Sequence, residues 1–466
     1  MQLPIVKVAP IVTEHSEIFR AEFNNRRQFE HFQNYLTGLI VLDNKSMANI
    51  TRCVLGSADK TNLSRFFSEA PWQAERVNDR RIKYMLQQTA PYRIASRASV
   101  LGVDDTLCEH VGNLFEYVDR HYNHGEGSYP LAHNLITSHY MSGAVRFPVD
   151  ALLYRRYDEI TDWETFVHKH FPTEALPTKK KERTALHKRV DPVLMTDPAF
   201  RERHHQFRTK ISLASTLVEQ AVAHQLPWQW VLFDGWYLAP ELLTVIRQHH
   251  KDWISILKPN RSLETNSFVL RDADGQPIAI GDPLIAVEAL VKLIPHKAFT
   301  PITLDEVTYY TFTFTVRIPS IGKVRLVISF NTPELDKHFV VLVSNRLDCS
   351  AKELIATYLL RWPIETFYQD SKQLLGLDDY RMRLAEAIQK HWSLVFVAYS
   401  FLHLDCLAAS LPKKSFPLQS IGEAVRQQSQ SLIQSLILYA HDALLNGQPV
   451  QQLFTHLFAK QQPIFT

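Results

Sequence analysis

The chain has 466 residues, 45% hydrophobic and 21% charged, enough apolar material for a large core and a length that favours two or three domains. With 51 Lys and Arg against 48 Asp and Glu, the net charge is +3, which permits a nucleic-acid partner without demanding one. Four scattered cysteines (Cys53, Cys108, Cys349, Cys406) form no CxxC pair, arguing against a disulfide framework or a zinc site and for a reducing interior. The start has no basic segment followed by an apolar run, so no secretory leader is expected. The most apolar window, 393–411, contains His403 and Asp405 and reads as a buried core helix rather than a membrane span.

Residues 1–90 read as helical. Amphipathic stretches at 28–40 and 46–56 are followed, after a turn at Gly56–Ser57, by a short helix bearing Lys60, Asn62, Ser64 and Arg65. That is the layout of a helix-turn-helix DNA reader, and equally that of a small packed helical domain with a polar face. From residue 93 the texture becomes β. A strand ends at Asp104–Asp105, and two more (131–143 and 144–158) are joined by a tight turn at Ser142–Gly143. The run 176–190 holds six Lys/Arg against one Glu, which fits a solvated loop or a contact to DNA backbone. A helix over 207–226 precedes strand, Asp234, helix and strand, predicting a mixed sheet with helices on it.

Beyond 258, the segments 308–318, 323–330 and 338–345 predict three antiparallel strands inserted in the α/β unit. Ser350 and Glu353 fit a capping box opening a helix that can run to Gly376. The remainder, 383–466, reads as helical with breaks at Pro412, Pro417 and Gly447.

Chemistry concentrates in "YLLRWPIETFYQDSKQLLG". Tyr358, Arg361, Glu365 and Lys372 would lie within roughly 60° of one another on a continuous helix. Pro363 tests that geometry, since it can kink the helix or restart it. The plain alternative is an exposed i,i+4 pair of Arg361 and Glu365, worth only ~0.3–0.5 kcal/mol. Flanking Trp362, Ile364, Phe367 and Tyr368 argue instead for a half-buried helix. Asp105 follows a strand and Asp234 ends the apolar run "WVLFD". Each alone is more often a cap or turn residue. Together with a glutamate, two strand-end aspartates can hold two Mg²⁺ ions about 3.5–4 Å apart, which activate a nucleophile and stabilise a leaving phosphodiester oxygen.

These residues resemble the DDE transposases of bacterial insertion sequences, in the branch marked by Tyr, two residues, Arg, three residues, Glu, six residues, Lys. Tyr358, Arg361, Glu365 and Lys372 keep that spacing, "VDDTLCEHVG" is similar to the first-aspartate motif, and "VLFDGWY" looks like the second. The resemblance spans roughly residues 50–405. It implies an α/β fold with an RNase H-like mixed-sheet core, interrupted by a β-rich insertion and flanked by helical N- and C-terminal regions. The divisions would be a helical DNA-binding region (1–90), the core's first part (91–258), the insertion (259–348), the core's second part (349–405) and a helical C-terminal region (406–466).

The resemblance further implies cut-and-paste transposition: metal-dependent cleavage at transposon ends and strand transfer into target DNA. Asp105, Asp234 and Glu365 would hold two Mg²⁺ ions, for which Mn²⁺ can substitute, with Asp104 as the alternative first ligand. Tyr358, Arg361 and Lys372 would grip DNA phosphate, an assignment that suits charge-assisted donors, and Lys60 and Arg65 would contact DNA from the N-terminal region. Trp236 and Trp362 read as core residues, with base stacking the sharper option. The partners would be duplex DNA with terminal inverted repeats, target DNA and a second copy of the chain in a homodimer, in the bacterial cytoplasm at the nucleoid, without a membrane. A second functional reading is a domesticated sequence-specific DNA-binding protein with an inactive nuclease core. A glycosidase-like carboxylate pair would leave Arg361 and Lys372 without a role.

Overall fold

The computed structural model describes residues 3–57, 59–123, 125–272, 274–336, 338–409 and 420–459. The expected breaks at Pro412 and Pro417 lie outside them.

Twelve strands are present among the described residues: β1 (Val100–His110), β2 (Asp119–Arg120), β3 (Leu131–Ser142), β4 (Val145–Tyr154), β5 (Trp230–Phe233), β6 (Asp252–Ile256), β7 (Ser262–Glu264), β8 (Leu284–Ala286), β9 (Thr300–Leu304), β10 (Val307–Ile318), β11 (Gly322–Phe330) and β12 (Phe339–Ser344). Ten of them form one sheet in the order β2-β3-β1-β5-β6-β12-β11-β10-β9, with β4 on β3. The meander β1-β3-β4 is antiparallel, whereas β5 joins β1, and β6 joins β5, in parallel. This is the mixed α/β, RNase H-like core, with helical regions on both sides of it in the chain. The β-rich stretch expected at 259–348 extends that sheet, because β12 pairs antiparallel with β6 and carries β11, β10 and β9 outward.

Strand alternation divides the core. Val100, Trp230, Leu232 and Ile254 face one side, where they meet the N-terminal helices and the helices Pro363–Leu375 and Ala385–Ala409. Leu101, Val103, Val231 and Phe233 face the other, against helices Lys210–Ala223 and Pro240–Gln248. Helix Ala385–Ala409 is long and apolar enough to cross a membrane, yet 89% of its apolar window is buried here, the core role read from the sequence. Its fully buried Lys390 donates to the carbonyls of Phe67 and Ala70, tying the N-terminal helices to the core.

Local signals act where they stand. Asp59 accepts from the Asn62 amide to open helix Lys60–Ser68, and Ser350 with Glu353 forms a complete capping box. The helix Pro363–Leu375 stops at Gly376, which adopts the left-handed conformation at φ 71°.

Two expectations fail. The strand before the Asp pair does not stop there: β1 runs on to His110, so both aspartates are mid-strand. The basic run 176–190 is not a loop but contributes to helix Lys180–Leu194. With helices Tyr157–Thr161, Trp163–His170 and Pro198–Gln206, that helix forms a unit whose core holds Trp163, Phe166, Val167, Leu186, Val190, Leu194 and Phe200. Arg183 turns back onto Asp158 and Glu164, both at 2.6 Å, so part of the run is consumed internally.

Candidate active site

The stripe read as one helix is two. Helix Ala351–Leu359 ends after Tyr358, residues 360–362 form a turn, and Pro363 is the first residue of a new helix. Proline suits that position, because its missing N–H would have no intrahelical partner there. Arg361 therefore lies in the link, and Glu365 in the first turn of the second helix, where the helix dipole favours negative charge.

Arg361 joins the pieces. Its Nη1 donates to Asp104 Oδ2 at 2.5 Å and its Nη2 to Glu365 Oε1 at 2.5 Å. The Tyr358 ring lies against the guanidinium, 5.9 Å from centroid to Cζ. The other Asp104 oxygen accepts from the Asp105 amide at 2.9 Å. Burial first, then the neighbouring charges of Asp105 and Asp234, push the Asp104 carboxyl up to about 7 against the pull of Arg361.

Asp234 follows β5 directly. Its Oδ1 accepts from the Trp236 amide at 3.0 Å, and its carbonyl accepts from Tyr237. Gly235 makes that turn possible: a Cβ there would sit 2.5 Å from the Ile256 carbonyl oxygen. The register sets Val103 beside Phe233 on parallel strands, so Asp104 and Asp234 continue the face that packs on the Glu365 helix.

Asp105 points the other way and is held by different partners. Lys210 Nζ lies 2.8 Å from its Oδ2, and the Tyr237 hydroxyl donates to its Oδ1 at 2.8 Å. The Asn134 amide, in its satisfied orientation, donates to Asp105 Oδ2 at 3.2 Å and accepts from Lys210 at 2.8 Å. Lys210, Tyr237 and Asn134 were not singled out as site residues; Tyr237 closes the stretch "VLFDGWY" that resembles the second motif, the one local signal that could have found it.

Both aspartates and Asp234 wall a cleft of about 1380 Å³, with Arg120, Lys210, Lys258 and Lys372 among its cations. Lys372 donates to the Leu107 carbonyl at 2.7 Å, which pins it to β1. Glu365 is not among the residues lining that cleft; it reaches Asp104 through Arg361. Trp236 and Trp362 are 46% and 65% exposed, so neither is the core residue it was expected to be. Lys60 and Arg65 project from the exposed side of their helix, while Leu63, Phe66 and Phe67 are buried.

Among the described residues, no three His, Cys, Asp or Glu side chains already stand in a metal-ligating arrangement. The donor chemistry nonetheless fits a hard divalent cation: carboxylate oxygens alone, with positive charge already drawn between two of them.

The chain matches two family models, one described as DDE superfamily endonuclease over residues 18–286 and one described as transposase DDE domain over 193–401. It is also similar to the probable transposase for insertion sequence element IS701 of Microchaete diplosiphon, 26% identical over 120 residues. That stretch covers 26% of this chain and 30% of the relative, well short of its full length. With more than half of its residues inside the first of those models, the chain belongs to the DDE superfamily of endonucleases.

Proposed function

We propose that this protein is a DNA transposase that cuts at the ends of a mobile element and joins them to target DNA by the cut-and-paste route, in the Tyr-Arg-Glu-Lys branch. The observation that carries this is the Arg361-centred arrangement, in which residues 104 and 365, 261 positions apart, share one guanidinium, while Asp104 and Asp234 line the same cleft. Asp234, Glu365 and one member of the Asp104–Asp105 pair would hold Mg²⁺ or Mn²⁺. Asp104 is favoured because it shares a strand face with Asp234, whereas Asp105 is committed to Lys210, Tyr237 and Asn134. Bound divalent ions would supply a Lewis acid and an activated nucleophile for phosphodiester chemistry.

The chain's own residues supply the rest. Lys372 is fixed at the cleft wall, and Arg361 and Tyr358 stand beside the carboxylates, placed to orient a phosphate. The helical region 1–90, with Lys60 and Arg65 exposed, is assigned to recognition of the DNA ends. Pairing of two ends by a homodimer is supported by apolar side chains left exposed on the last two helices, among them Ile437, Leu438, Leu445 and Phe454.

The test is nicking of duplex DNA that carries the inverted repeats flanking the coding region, with and without Mg²⁺. Wild type should nick only with metal, and Glu365→Gln should lose nicking while retaining DNA binding. Metal-independent nicking, or full activity in the variant, would defeat the assignment. Binding without nicking by wild type would point instead to a DNA-binding protein with an inactive core.

A further inference from the structure

Arg361 does more in this geometry than a phosphate contact requires. It is the only side chain seen bridging two of the proposed metal ligands among the described residues, and its own side chain is just 16% exposed. Of the two Asp104 oxygens, one is occupied by a backbone amide and the other faces Arg361. Glu365 is 43% exposed and otherwise free to turn to solvent, yet it is drawn inward to the same guanidinium.

We propose that Arg361 is a resident counter-cation: it holds the Asp104 and Glu365 carboxylates together and must let go of both before they can ligate divalent ions. The inference rests on the metal-binding reading above. Three arguments carry it. The poorly solvated Asp104 carboxylate needs a cationic partner, and the second nitrogen of the same planar fork reaches the more exposed Glu365 as well. A guanidinium left between them would lie within a few ångströms of a doubly charged ion, where repulsion in a poorly solvated site is severe. Finally, Arg361 sits in the three-residue turn between two helices, so its release needs only side-chain rotation and no helix has to break.

Loading and release are then coupled. The positive charge freed from the carboxylates becomes available to DNA phosphate at the moment the site becomes competent. By thermodynamic reciprocity, the factor by which the engaged Arg361 weakens ion binding is the factor by which a bound ion weakens the hold of Arg361 on the carboxylates.

The experiment measures Mn²⁺ affinity of the full chain, without DNA, by calorimetry or by the electron paramagnetic resonance of free Mn²⁺. Arg361→Ala should bind Mn²⁺ more tightly than wild type, on the order of tenfold, within the about 5–150-fold range of such couplings. Its melting temperature should fall without metal and recover more on adding Mn²⁺ than that of wild type. Should Arg361→Ala not fold, Arg361→Lys serves: one ammonium cannot hold both carboxylates in the fork geometry, so a smaller gain in affinity is expected. A folded Arg361 variant with unchanged or weaker Mn²⁺ affinity overturns the proposal. Asp104→Asn and Glu365→Gln separate it from the reading beneath: both should abolish Mn²⁺ binding, and if neither does, the ligand assignment itself falls.

Discussion

The distance between β1 and the helix that carries Glu365 is set by a glycine. Gly102 lies two residues before Asp104 on the same strand face, and a Cβ there would stand 2.4 Å from Ile364 Cδ1 and 3.0 Å from Met141 Cε. Ile364 is fully buried, so it cannot swing aside into solvent. Carbon contacts settle near about 3.5–4.0 Å, so in Gly102→Ala the Ile364 side chain must give by roughly 1 Å, and whatever its rotation within the packed core does not absorb is passed to the helix. Overpacking of this kind costs about 1–3 kcal/mol. Stiffening of the unfolded chain by the same substitution returns about 0.4–1 kcal/mol, so the single value is not diagnostic. The coupling is. Ile364→Val removes the clashing methyl and alone should cost about 0.5–1.5 kcal/mol. In Gly102→Ala it should be neutral or stabilising, giving an interaction energy of about 1 kcal/mol or more by urea denaturation of the four proteins. Metal-dependent nicking should fall further than stability does, since a displacement of about 1 Å at reacting groups can cost on the order of a hundredfold, and it should return in the double variant. Additive effects on stability would refute the claim that this contact positions the glutamate.

Two further outcomes are expected. Lys60→Ala and Arg65→Ala should each weaken binding to terminal-repeat DNA and lower the slope of log affinity against log salt by about 1, measured by fluorescence anisotropy across a salt series; an unchanged slope would remove that residue from the interface. In the helical unit 157–206, burial alone would lower His187, but hydrogen bonds to Asp158 and Asp191 outweigh it and raise the imidazole to about 9. Because the folded value lies above the ordinary one of 6.5, its stabilisation is complete below about pH 6.5 and is lost as pH rises through 9. Hydrogen exchange in this unit, corrected for intrinsic rates, should therefore accelerate from pH 6.5 to 9.5 in wild type and far less in His187→Gln.

Much of the fold was legible because local signals and tertiary demand agree. The apolar segments around Ser142–Gly143 are a hairpin whose turn glycine has φ 63°, and the capping residues at Ser350 and Glu353 sit at the end they announce. The helical unit was missed for a physical reason. In 180–194 Leu186, Val190 and Leu194 carry the inward face at four-residue spacing, a helical signal masked by the surrounding lysines and arginines and by Pro192 inside the helix. The break at Pro363 was visible as a possibility; that Arg361 would still bridge across it depends on Asp104, 257 residues away.

The Asp104–Asp105 pair shows most clearly what a sequence conceals. Two charges in succession look like the end of a strand, since neither belongs in a core. Alternation permits another solution, one carboxylate to each face with a cation brought to each: Arg361 on the side of Asp234 and Glu365, Lys210 on the other. Each cation arrives from a distant part of the chain, so the strand continues through a dipeptide that local propensity would end. The two aspartates are then not interchangeable. Asp105 is saturated by Lys210, Tyr237 and Asn134 and braces the cleft wall, whereas Asp104 keeps an oxygen committed only to an arginine. A carboxylate with one cationic side-chain partner gives up fewer contacts on turning to a metal ion, which is why Asp104 is the proposed ligand. One held by three fixed donors cannot do so without loosening the wall that shapes the site.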